Sequence, residues 1–153
     1  MFEQSVVVSG GEEQSVHDLV SLANEVRREY FADEIPLPIR WGVRPNRKRR
    51  RSIRLGSYDH RSQEIRVHPT LDAGFVPRFF IQSIIFHEYL HHILGASHNR
   101  RFKLFEARYR FHREAQEWLK RNLPLLLGRR RSPLTLKVIP GGKVAPAAQL
   151  PLF

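Results

Sequence analysis

Residues Phe75–Phe102 read FVPRFFIQSIIFHEYLHHILGASHNRRF. Phe79, Phe80, Ile84, Tyr89, Leu90 and Ile93 recur at steps near three and four, and no Pro or Gly interrupts Arg78–Leu94. That spacing predicts a helix over about 76–94. Pro77 suits its first turn, where a missing N–H costs nothing, and Gly95 suits the residue just past its end. Within this helix lies His87-Glu88-Tyr89-Leu90-His91, the pattern H-E-x-x-H. Residues four apart share a helix face, so the His87 and His91 imidazoles can reach one ion.

Such a pair points to metal-assisted hydrolysis. A catalytic zinc typically has three protein ligands and keeps one position open for water. The metal makes that water acidic near neutral pH, and Glu88 is placed to take its proton. Gly95 lets the chain turn back, and His98 follows as the expected third ligand, with the Glu106 carboxylate as the alternative. His92 lies about 100° around the helix from His91 and is expected to pack or to support the site. With 8 His in 153 residues, an accidental H-E-x-x-H is expected only about 0.03 times.

Other features bound the rest. One domain plus tails suits 153 residues. There is no Cys, so disulfides and thiolate ligands are excluded and any zinc must rest on His and carboxylate. No stretch approaches 18 uncharged apolar residues, so no membrane span is expected. The N-terminus lacks the basic start and apolar run of a signal peptide, and a cytoplasmic protein is expected. Charge is uneven: Met1–Glu34 carries 2 basic and 8 acidic residues (−6), and Ile35–Phe153 carries 24 and 7 (+17), which sum to the net +11. A field of that sign attracts polyanions.

Along the chain, residues 1–14 are expected to be loose, with Val6-Val7-Val8 available as an edge strand. Ser15 with Asp18 resembles a capping signature. Val16, Leu19, Val20, Ala23, Val26 and Tyr30 then form a helical stripe. Ile39, Trp41 and Val43 alternate as a strand. Arg44 to Arg51 holds six basic residues, Arg44, Arg47, Lys48, Arg49, Arg50 and Arg51. At a loop tip these are expected to contact a DNA backbone. Ile53 and Leu55, then Ile65 and Val67, predict a hairpin around Asp59–Ser62. His17, His60, His68 and His112 are expected at surface, turn or strand-end positions. A single helical region is expected over 99–122, ended by Pro124. Its core side holds Phe102, Phe105, Tyr109, Ala115, Trp118 and Leu119, and its outer side is basic. Residues 128–148, rich in Pro and Gly, read as a flexible tether, within which 134–139 alternates like a short strand.

HEYLHHILGASHNRRF resembles the metal-site segment of SprT-like zinc metalloproteases, the group that includes Spartan and the YgjP-like proteins. The matching positions are His87, Glu88, His91, His98 and Phe102, and RLGSYDHRSQEIRVHP (54–69) is similar to the strand pair before that helix. The resemblance covers roughly 15–123. It departs at Asn99, where the family often has Gly or Ser. It implies an α+β, small zincin-like domain over 15–127, with a short β-sheet packed on the H-E-x-x-H metal helix and flanking helices. It also implies a Zn2+ endopeptidase that cleaves proteins bound or crosslinked to DNA. An extended substrate would pair with an edge strand of the hairpin. The last residues, Gln149, Leu150, Pro151, Leu152 and Phe153, resemble the peptide by which bacterial proteins dock on the replicative sliding clamp. Gln149, Leu150, Leu152 and Phe153 would be its anchors. The rival readings are a non-catalytic nucleic-acid or clamp adaptor with structural zinc, and a zinc hydrolase acting on RNA or a small molecule.

Overall fold

A computed structural model describes residues 15–44 and 52–128. The expectations for Val6–Val8, for the basic residues Arg47, Lys48, Arg49, Arg50 and Arg51, for 134–139 and for Gln149–Phe153 lie outside the described residues.

The order of elements is α1 (Leu19–Tyr30), β1 (Ile39–Trp41), β2 (Gly56–Asp59), β3 (Glu64–Val67), a 3-10 turn (Pro69–Leu71), α2 (Arg78–Leu94), α3 (Arg100–Glu106) and α4 (His112–Leu126). The sheet order is β1-β3-β2, with β1 parallel and β2 antiparallel to β3. This is the expected small α+β domain, built around one helix. Helix α2 is lined by α1, β2, β3, α3 and α4. Every residue from Ile84 to His91 is buried, as are Phe80 and Ile81. That is why its sequence is apolar almost all round rather than striped.

Local chemistry sets the element ends. The cap of α1 is Asp18 rather than Ser15: its carboxylate accepts the Ser21 N–H at 3.2 Å. The backbone before it is held elsewhere, because the His17 N–H donates to Asp72 Oδ1 at 2.9 Å. The His17 ring also lies 3.0 Å from the Ala73 carbonyl, so His17 ties α1 to the loop before α2. Val16 and Val20, expected on the apolar stripe, are exposed. The first strand stops at Trp41, and Val43 stands in solvent. Ile53 and Leu55 are buried as expected, but β2 begins after them, at Gly56. The hairpin turn is closed by Asp59, which accepts the Arg61 N–H at 2.8 Å.

The expected single helix over 99–122 is two helices. Tyr109 breaks it. Its ring is buried against Tyr30 and Phe86, and its hydroxyl donates to the Phe79 carbonyl at 2.7 Å. Pulling that side chain inward costs the helical continuation. Pro124 does not end α4, which runs on to Leu126. A Pro there forfeits one helical hydrogen bond, while Leu126 and Leu127 are buried by continuing.

One close approach fixes the sheet against α2. A Cβ built on Gly56 would stand 2.5 Å from Ile84 Cγ2 and 3.0 Å from Glu88 Oε1. Only Gly lets β2 lie this near the helix. Gly56→Ala is therefore expected to lower stability by about 1–3 kcal/mol through forced displacement, read as the midpoint shift in urea unfolding; an unchanged midpoint would mean that β2 moves freely.

Candidate metal centre

The three histidines singled out by the sequence converge. His87 and His91 extend from adjacent turns of α2, and His98 returns from the turn after it. Gly95 makes that return with φ of 94°, a left-handed conformation that favours Gly. The Nε2 atoms stand 3.0 Å apart for His87 and His91, 3.1 Å for His87 and His98, and 2.9 Å for His91 and His98. Nitrogens about 2.0–2.1 Å from a shared tetrahedral zinc stand roughly 3.3 Å apart, so the spacing fits a metal within a few tenths of an ångström. Three mutually facing nitrogens gain little from one another without a cation.

Each ring is oriented from behind. His91 Nδ1 donates to the Gly95 carbonyl at 2.8 Å. His87 Nδ1 pairs with Glu106 Oε2. Both contacts put the proton on Nδ1 and turn the Nε2 lone pair toward the cluster. Phe102 packs on all three imidazoles, with ring centroids 4.6–5.0 Å away. Burial pushes the His87, His91 and His98 pKa values down, so all three are neutral and ready to ligate at pH 7. Glu106 feels burial, which raises its pKa, but the His87 hydrogen bond and nearby His groups outweigh this and hold it ionised.

Glu106 is thus not the third ligand. It grips the far nitrogen of His87. Its place was readable only in outline: four residues after Phe102, it shares the inward face of α3. Asn99, the departure from the family pattern, caps α3 by accepting the Phe102 N–H at 2.9 Å. Ser or Asn serves equally at such a cap, so the turn chemistry is kept.

Glu88 is 1% exposed, and neither carboxylate oxygen has a hydrogen-bond partner among the described residues. Desolvation raises its pKa to about 8, against the opposing charge of Arg54. A buried carboxyl group without a hydrogen-bond partner is costly. His92 lies off the metal, as expected, and shares a 2.5 Å hydrogen bond with the Tyr58 hydroxyl. The His60 ring also meets Tyr58 edge-on. His68 accepts the Thr70 N–H at 3.1 Å, capping the 3-10 turn. His112, expected at the surface, is half-buried and lines a small cavity with His87 and Glu106. Of the proposed DNA-contacting residues only Arg44 is described, and it is exposed.

No family model and no curated protein matches the sequence. Among solved structures, the chain is similar to the crystal structure of jannalysin, a metallopeptidase zymogen of Methanocaldococcus jannaschii. The TM-score is 0.55 with 17% identity, over 77% of this chain and 98% of that one. The likeness is one of fold: this chain shares the small α+β fold of that structure and has three His clustered on and beside one helix. No helix among the described residues is long and apolar enough to cross a membrane.

Two outcomes follow from this geometry. Between the ordinary Glu pKa and about 8, the unfolded chain carries an ionised Glu88 that the metal-free fold disfavours. Stability is therefore lost as pH rises through that window. Glu88→Gln should stabilise the metal-free protein by about 3 kcal/mol at pH 7 and by little at pH 4, measured by thermal unfolding in chelator. Glu106→Ala should weaken metal affinity about 10–100-fold, and Glu106→Gln less, measured by competition with a chromophoric chelator.

Proposed function

We propose that this protein is a zinc-dependent endopeptidase of the SprT-like kind. The observation that carries the proposal is the convergence of His87, His91 and His98 beside a buried, unpartnered Glu88. The fold shared with a metallopeptidase supports it. His87, His91 and His98 would hold the zinc. Bound there, zinc supplies Lewis acidity toward water and the scissile carbonyl. Glu88 takes the proton of the attacking water and returns it to the leaving amine.

The sheet supplies a place for an extended substrate. The His68 N–H donates to the Leu55 carbonyl at 2.8 Å, which makes 55 and 68 a hydrogen-bonded pair. Such pairs alternate along an antiparallel ladder, so Ser57 and Asp59 bond to β3 while Gly56 and Tyr58 turn their N–H and C=O groups outward. No strand among the described residues covers that edge. A peptide added there runs past Gly56, whose backbone abuts Glu88. This open edge favours a peptide over RNA or a small molecule. Three converging histidines with no fourth such ligand among the described residues favour a catalytic site over the structural zinc of an adaptor.

Proteins bound or crosslinked to DNA are the substrates we assign. The support is the +17 charge of Ile35–Phe153, the basic run Arg44–Arg51 and the SprT resemblance. The Gln149–Phe153 peptide would tether the enzyme to the bacterial sliding clamp, in the cytoplasm. Zinc-loaded protein should cleave a DNA-crosslinked protein faster than the same protein free, and Glu88→Gln should abolish cleavage while keeping zinc and DNA binding. Full cleavage by Glu88→Gln refutes the mechanism; equal cleavage of free and crosslinked protein refutes the DNA assignment alone.

A further inference from the structure

Arg54 is an exposed cation two residues before the start of β2. Its Nε donates to the Gly56 carbonyl at 3.2 Å. That carbonyl belongs to the outward-facing row of β2, so the guanidinium lies along the edge offered to a peptide. The same Gly56 packs on Glu88, which places Arg54 level with the hydrolytic carboxylate.

No carboxylate among the described residues forms an ion pair with Arg54. The arginines on the two other strands are engaged: Arg40 of β1 and Arg66 of β3 each meet Glu64 at 2.8 Å. A planar guanidinium with free N–H groups recognises a carboxylate in a two-pronged, oriented way. Gly56 has no side chain to shield the approach, and a carbonyl oxygen accepts a second donor, so Arg54 need not leave for a peptide N–H to bind.

We infer that Arg54 makes this strand edge selective for peptides with an Asp or Glu side chain close to the bond to be cleaved. The inference rests on the endopeptidase reading above and names a feature of its substrate. An acidic side chain on the added strand meets the guanidinium beside Gly56. A lysine there meets an unneutralised like charge.

The test uses zinc-loaded Glu88→Gln protein and fluorescent hexapeptides in pairs that differ only by Glu or Gln at one position, scanned along the peptide. Binding is read by anisotropy, and cleavage of the same pairs is read with the unaltered enzyme. One position should show about tenfold tighter binding of the Glu peptide, the size of a charge-assisted hydrogen bond. Adding Arg54→Gln should erase that preference, and Arg54→Glu should turn it toward Lys, with an unchanged far-UV spectrum and zinc content. Binding with no charge preference, or a preference that survives Arg54→Gln, overturns the inference and leaves the endopeptidase reading standing. Neither binding nor cleavage of any peptide by the zinc-loaded proteins overturns both.

Discussion

Helix α2 must be walled in on every side and still present three polar groups to one opening. Ten of its 17 residues are buried, among them His87, Glu88 and His91. An apolar helix of this kind has no stable solvent face, so α1, the sheet, α3 and α4 are all needed around it. The contact with β2 is a close one, where the absence of a side chain at Gly56 decides how near the strand can lie. That approach seals Glu88 from water on the sheet side and sets the strand edge beside it. Burial of Glu88 and placement of the edge are thus one packing event.

The cost of this arrangement is concentrated at Glu88. Its carboxylate has lost its hydration, and no donor among the described residues replaces it. The protein tolerates this because the surrounding core is dense. Phe80, Ile81, Ile84, Ile85 and Leu90 are each 0–2% exposed on the same helix, and burying such a side chain contributes about 1.5–3 kcal/mol. The histidines are cheaper, since a neutral imidazole whose Nδ1 is satisfied by Gly95 or Glu106 loses little on burial.

The clustering of the three histidines was legible because their spacing is a property of the helix itself. Two His four apart must share a face, and Gly95 marks where the chain can turn to bring His98 back. The fold class and the hairpin were legible from periodicity for the same local reason. What escaped depends on contacts distant in sequence. Tyr109 splits the last helical region because Phe79, 30 residues earlier, accepts its hydroxyl. Asp18, rather than Ser15, caps α1 because Asp72 holds the preceding backbone. Glu106 was readable as acidic and near the site, but which nitrogen of His87 it meets is decided by how α3 docks.

That docking explains how a histidine on a turn can be as well placed as two on a buried helix. His98 is exposed and lies outside regular structure. Its position is nevertheless constrained from both sides: Gly95 bonds back to the His91 carbonyl at 3.0 Å, and Asn99 caps α3 one residue on. Phe102 then locks α3 against all three imidazoles, and Glu106 closes the far end on His87. A metal held by residues from both α2 and this turn would draw the two together, so its binding energy would add to the docking of α3. The short helix α3, too brief to be stable alone, is thereby supported by the site that it helps to build.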